Sequence, residues 1–459
     1  MTAFSHNLND WRIETRSLLR LAGPLIINYL AIAGINFADA TMAGRLGAKE
    51  LAAVAVGGSV WMLCFIIALG ILMAISPIVS RHYGAGNPQL IGRYTRQGLY
   101  LSQLMGFGML GASRLFVDPL LEFVGVDPGF RDMTGEYVKA IMFGMPGMCA
   151  YLALRFTTEG IGETRPVMYS SIIALVLNVT GNYILMFGNL GAPALGAVGC
   201  GIASAIAMTA MFLFLFIYMY RHAVYKPLKI FVRVSPMHPA VLKEIMVLGA
   251  PIAVTITAET GLFAGVSLLM GTLGAEIAAA HQIAINFAST MFMVPLALSA
   301  ATTIRVGHAL GRQDAVGARF SGWAGIIVCG LFMMCSAMFM LLMRDGVVSL
   351  YTDDPSVQHI AISLLLMAAL FQVSDGLQIG ATAALRGYKD MRVPMYLTTI
   401  TYWGLAFPLA YMAAVTYRMP PYFIWGGFVI GLSIAAVVLG TRYYFVANRV
   451  VREGLAQPS

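Results

Sequence analysis

Three carboxylates, Asp39, Glu259 and Asp375, fall deep inside long apolar stretches of the chain. A carboxylate at the centre of a bilayer costs at least about 2.5 kcal/mol even on lenient insertion scales. Glu259 and Asp375 have no Lys or Arg in their own apolar segments, and the only one in that of Asp39 is Arg20, at its far end. Groups placed at such expense face a protein interior, where they can exchange a proton or hold a small cation. Helical spacing gives two of them polar company: Thr255 stands one turn before Glu259, and Ser374 and Gln378 flank Asp375. Asn178 and Asn182 lie four apart, on one face of an otherwise apolar helix, and Gln282 and Asn286 repeat that spacing further along. For each amide pair two readings stay open: glue between helices, or a polar site, which for Asn178 and Asn182 would hold Asp39.

The elements that must position these groups are membrane helices. The chain has 459 residues, of which 59% are hydrophobic and 11% charged, with a mean hydropathy of +0.78. Soluble domains carry about 25% charged residues, so the solvent for most of this chain is lipid. Apolar runs predict helices over 18–43, 51–79, 94–116, 134–156, 165–188, 196–220, 245–270, 278–304, 320–343, 357–385, 394–415 and 422–445. At roughly 20 residues per span, that is an all-α membrane protein of twelve helices. The polar first seventeen residues lack the apolar core of a secretory signal and read as a retained tail. The five cysteines sit in apolar runs without paired spacing, and the histidines form no HExxH-type ligand pair. No cofactor and no transition-metal site is expected.

The formal charge of +8 raises the question of a nucleic-acid partner, and its distribution answers against one. If alternate loops share one side, that side holds 22 of the 29 Lys and Arg residues. The positive-inside rule then makes it cytoplasmic, both termini included. The basic charge is an orientation signal, with anionic lipid as its partner.

An ungapped shift of 227 residues superposes the chain on itself. Pro24 falls on Pro251, Leu46-Gly47-Ala48 on Leu273-Gly274-Ala275, Val79 on Val306, Asp127-Pro128 on Asp354-Pro355, and Gly160 on Gly387. Six spans per half leave both halves the same way up, related by a pseudo-two-fold axis along the membrane normal. The expected division is an N-terminal lobe over 1–220, a basic cytoplasmic linker over 221–244 and a C-terminal lobe over 245–459. Rocking of one lobe against the other is the expected route to alternating access.

Four segments carry a family resemblance that runs along essentially the whole chain: FADATMAGRLG (37–47), RHYGAGN (81–87), EGIGETRPVM (159–168) and ALRGYKDMRVPM (384–395). The sequence resembles the multidrug and toxic compound extrusion (MATE) family, and its NorM subgroup in particular. The resemblance implies a V-shaped pair of six-helix lobes in a bacterial inner membrane and export of organic cations by antiport with Na⁺ or H⁺. Its polar residues map onto Asp39, Asn178, Asn182, Glu259 and Asp375, with Na⁺ at Glu259 and Asp375. One position departs: Phe371 stands where sodium-coupled members commonly keep Tyr, which retains a ring face for a cation but loses a hydroxyl. A monomer is expected.

The nearest alternative is a related flippase of lipid-linked oligosaccharides, whose cavity would be basic; the deep charges here are acidic. A major-facilitator porter would show a GxxxDRxGRR-like loop after the second helix, where this chain has RHYGAGNPQL. An intramembrane enzyme would need HExxH, GxSxG or DDxxD, none of which occurs, so no enzymatic activity is expected.

Overall fold

In the computed structural model, residues 7–232 and 236–456 are described. Residues 1–6 of the tail, 233–235 of the linker and 457–459 lie outside them. The described chain is helical throughout, as lipid demands of a backbone that must satisfy its own hydrogen bonds. In order it forms α1 (Leu8–Leu46), α2 (Ala48–Met73), α3 (Ile75–Gly84), α4 (Pro88–Phe123), α5 (Pro128–Met142), α6 (Met145–Gly160), α7 (Arg165–Leu185) and α8 (Gly196–Arg221). After the linker come α9 (Pro239–Thr272), α10 (Ala275–Gly311), α11 (Ala315–Ser349), α12 (Pro355–Gly387), α13 (Arg392–Thr401), α14 (Phe407–Tyr411) and α15 (Pro421–Ala456). Ten helices among the described residues are long and apolar enough to cross a membrane, and α5 with α6, bent by 43°, form an eleventh candidate. The remaining apolar run, 392–416, alternates α-helix with π-helical turns at Tyr402–Ala406 and Met412–Thr416.

The 227-residue repeat is a repeat of helix boundaries. Ala48–Gly84 returns as α10, the span Pro128–Gly160 as α12, and the starts of α4 and α7 as those of α11 and α13. The matched residues explain this. In Asp127-Pro128 and Asp354-Pro355 the aspartate is the N-cap and the proline the first helical residue, where a missing N–H goes unmissed. Asp127 accepts from Gly129 N at 2.7 Å and Asp354 from Ser356 N at 2.9 Å. The Ser356 hydroxyl and N–H hold the Asp354 carboxyl below its usual range. Gly47 and Gly274, at φ +151° and +130°, turn one span sharply into the next in a conformation that suits glycine. A Cβ on Gly160 would lie 2.7 Å from Val79 Cγ1, and one on Gly387 2.6 Å from Val306 Cγ1. The same glycine-to-valine approach is therefore built twice.

Two compact units result, and they divide the chain differently from the expected lobe boundaries. One comprises Pro24–Tyr83 and Asn87–Ala253; the other Met1–Gly23, Gly84–Gly86 and Val254–Ser459. Thus α1 changes unit at Pro24 and α9 just after Pro251, at positions that the repeat makes equivalent. The polar start of α1 is held in the second unit by a two-point ion pair from Arg305 to Glu14 (2.9 and 2.5 Å) and by Trp11 edge-on to Phe320. The polar start of α9 is held in the first by the Tyr94 hydroxyl, which donates to Glu244, and by Gln97, whose Oε1 accepts from His238 N at 2.8 Å. In the second unit a large core centres on Trp425, Tyr402, Phe428 and Phe371.

Candidate functional site

In the first unit Asp39, on α1, is buried against α7 and α8. Gly181 leaves α7 close to Ala203 of α8, where a Cβ would stand 2.9 Å from the alanine methyl. Small residues at such a crossing let polar side chains interdigitate. Asn182 Nδ2 donates to Asp39 Oδ1 at 2.6 Å, and Ser204 Oγ donates to Oδ2 at 3.3 Å. Asn178 Nδ2 donates to Ser204 Oγ at 3.0 Å and its Oδ1 accepts from Asn182 at 3.3 Å. Asn182 thus bonds the carboxylate directly, and Asn178 bonds Ser204 of α8 while also acting on Asp39. Ser204 joins them without any signal in the sequence beyond its place in a span.

In the second unit the turn of α9 that carries Glu259 is fixed by Trp403 Nε1, which donates to Ala258 O at 3.1 Å. Asp375 of α12 is 4% exposed, and the two carboxylates feel each other's charge. Gln378, one turn on, is buried beside Asp375, while Glu259 is half-buried. Arg386 acts on Glu259 from further along α12. Phe371 is buried among the rings of Phe263, Trp425 and Phe428, with centroids 6.4, 5.7 and 5.9 Å away. Its face meets protein rings rather than an open cavity. Gln282 and Asn286 are exposed on α10 and stay apart from the buried cluster; Asn286 Oδ1 accepts from the Tyr351 hydroxyl at 3.1 Å.

The buried α10 side chain is instead His281, and its protonation follows from its partners. Trp425 Nε1 can only donate, and it lies 3.1 Å from His281 Nδ1, which must accept. The ring proton is then on Nε2, 2.8 Å from Ser267 Oγ, whose own hydroxyl donates to Phe263 O at 2.9 Å. His281 is a neutral structural tie, and the ionisable chemistry of this cluster rests with the carboxylates.

A second polar group in the first unit stands at the cytoplasmic-side end of the span predicted over 134–156, and the sequence did not mark it as buried. Arg155 and Glu159 lie inside α6, both under 5% exposed, with Arg155 Nε donating to Glu159 Oε1 at 2.6 Å. Arg155 Nη2 reaches the Tyr29 hydroxyl at 3.2 Å. The pair is neutral overall and complete, which suits a structural role. Among the described residues no group of three His, Cys, Asp or Glu side chains is placed to hold a metal ion.

The MatE family model matches the chain twice, over residues 24–184 and 251–412. The two matches begin 227 residues apart, at the repeat-equivalent prolines. The chain belongs to the MatE family. It is a transporter and not an enzyme. Multidrug resistance protein PmpM of Pseudomonas aeruginosa is 38% identical over 96% of this chain and 94% of that one. Multidrug resistance protein NorM of Vibrio vulnificus is 37% identical over 96% and 97%, and MdtK of Photorhabdus laumondii 39% identical over 94% and 95%. The fold is that of the solved eukaryotic MATE transporter AtDTX14, with a TM-score of 0.86 at 20% identity over 97% of this chain and 99% of the other. A solved transporter from Pyrococcus furiosus, described as having a binding pocket of reverse polarity, also shares it, with a TM-score of 0.84 at 21% identity over 95% and 96%.

Proposed function

We propose that Glu259 with Asp375, and Asp39 with Asn178, Asn182 and Ser204, are the coupling-ion sites of this secondary active multidrug efflux transporter, which exports lipophilic organic cations in exchange for Na⁺ or H⁺. The observation that supports this best is that the carboxylates of Glu259, on α9, and Asp375, on α12, lie within each other's field. Two like charges at depth repel, so the empty pair favours any bound proton or cation. Loading it changes the energy of whichever conformation buries it, and that difference is what drives alternating access. Gln282 and Asn286, exposed on α10, are assigned to substrate contact, and Phe371 to the wall behind Asp375. Both clusters are complete within one chain, so the protein works as a monomer. The test is transport into proteoliposomes energised by a Na⁺ gradient alone or a pH gradient alone. A lipophilic fluorescent cation should accumulate with at least one of them, and accumulation with neither would overturn antiport.

The excess of basic residues on one set of loops supports an inner-membrane orientation with both termini and the 221–244 linker in the cytoplasm. A reporter inserted in that linker should behave as cytoplasmic. In a cysteine-free background, Val124→Cys, exposed at the end of α4, should react from outside with an impermeant thiol reagent. The opposite labelling would invert the topology.

A further inference from the structure

The run TYWGLAFPLAY (401–411) places Pro408 in mid-span. Proline brings no N–H, and its ring would strike the carbonyl four residues back. The chain responds by widening: Phe407 N bonds to Tyr402 O, five residues back, in a π-helical turn. Such single π turns recur at functional sites. This one is pressed onto α9 through two glycines. A Cβ on Gly261 would lie 3.0 Å from the Trp403 ring, and one on Gly265 2.7 Å from the Phe407 ring. With Trp403 bonded to Ala258 O, the preceding residue, Tyr402, is carried into the buried carboxylate cluster.

Tyr402 is fully buried. Its hydroxyl lies within the field of both Glu259 and Asp375 and beside the Gln378 side chain, yet it makes no hydrogen bond of good geometry. Gln378 Oε1 and Asp375 Oδ1 likewise have no protein partner. Buried polar oxygens are normally satisfied; here a tyrosine hydroxyl, an amide oxygen and one oxygen of the carboxylate pair itself are not, and one cation can serve several oxygens at once. A proton is satisfied by one carboxylate and one acceptor. A hard metal cation takes several oxygens at once, neutral ones included. The other charged or titratable groups facing the cluster do not supply that occupant. Arg386 on α12 acts on Glu259 from a distance, and His281 on α10 is neutral and tied to Trp425 and Ser267.

We propose that Tyr402, with Gln378, completes an oxygen-lined Na⁺ site with Glu259 and Asp375, and that its hydroxyl is a determinant of Na⁺ over H⁺ as the coupling ion. This rests on the two carboxylates being the coupling site. It also supplies from another helix the hydroxyl that Phe371 does not provide. The test is saturation binding of radiolabelled Na⁺ to the purified full chain, near pH 8, in four variants beside the wild type. Tyr402→Phe and Gln378→Met, each of which keeps side-chain volume, should raise the half-saturating Na⁺ concentration about tenfold or more. Glu259→Gln should abolish saturable binding. Tyr443→Phe, which removes a buried hydroxyl bonded to Arg319 O elsewhere in the same unit, should leave binding unchanged.

Wild-type affinity in both Tyr402→Phe and Gln378→Met would overturn the inference while leaving the carboxylate site standing. Absence of saturable Na⁺ binding in the wild type, with transport driven by pH alone, would overturn it equally. Transport that survives Glu259→Gln would instead remove the carboxylate reading on which it rests.

Discussion

Glu259→Gln and Asp375→Asn should each reduce drug efflux by at least about a hundredfold, which corresponds to about 2.7 kcal/mol of lost coupling, while the protein still folds and inserts. Both substitutions keep shape and remove only the ability to hold charge. Asp375 is almost fully buried and shares the field of Glu259. Converting either acid to an amide relieves like-charge repulsion and takes an ion out of a poorly solvated site. Stability should therefore hold or rise, and the loss should appear in turnover. Expression level and melting temperature of the purified variants, measured beside efflux of a fluorescent lipophilic cation from a host lacking its own exporters, separate the two effects. Wild-type efflux by either variant would remove these carboxylates from the mechanism. Loss of folded protein would instead make them structural.

Much of the architecture could be read from the chain because a bilayer leaves few choices. Each span has to be apolar and helical, and the 227-residue offset copies helix starts residue for residue, down to the Asp-Pro that caps α5 and α12. Helix ends were less legible. α1 begins at Leu8 and α4 continues to Phe123, well beyond their apolar runs, because a helix that leaves lipid can turn polar without stopping. The passage of α1 and α9 from one unit to the other was also hidden. It depends on tertiary contacts such as Glu14 with Arg305, and residues at both ends of those contacts look like ordinary loop-flanking charges.

The candidate site was legible where burial carries a penalty. Asp39, Glu259 and Asp375 stand out because an ionised group in lipid is expensive, and the spacing of Asn178 and Asn182 shows that they share a face. Ser204, Gln378, Tyr402 and His281 gave weaker signals, since hydroxyls, amides and aromatic rings are tolerated in spans and occur there for packing alone. Arg155 and Glu159 were missed for the converse reason. An i, i+4 pair of opposite charges is neutral as a unit and can close a span without marking it as polar. Gln282 and Asn286 have the same spacing as the α7 amides, yet they are exposed. Spacing places residues on a common face but does not say which face is buried.

Asp39→Asn should slow turnover by about tenfold or more and flatten its dependence on pH, with a much smaller effect on equilibrium drug binding. Asn182 donates to one Asp39 oxygen at 2.6 Å and Ser204 to the other at 3.3 Å, with Asn178 and Cys200 also acting on the carboxyl, and such hydrogen bonds favour the charged carboxylate. Protonation would turn one oxygen into a donor. Asn182 Oδ1, which has no partner in the charged arrangement, is the acceptor within reach if the amide turns over. The cluster therefore has two hydrogen-bonded states that differ by one proton and one amide rotation, a bistable element that a gradient can bias. Asparagine at position 39 fixes the neutral state permanently, so the switch and its pH dependence should go together. Asn182→Ala should flatten the pH profile as well, because it removes the amide that answers the proton. Turnover measured across pH 6 to 8 in proteoliposomes, alongside drug binding at the same pH values, checks this. A pH profile in Asp39→Asn parallel to that of the wild type would return Asp39 to a structural role between α1, α7 and α8.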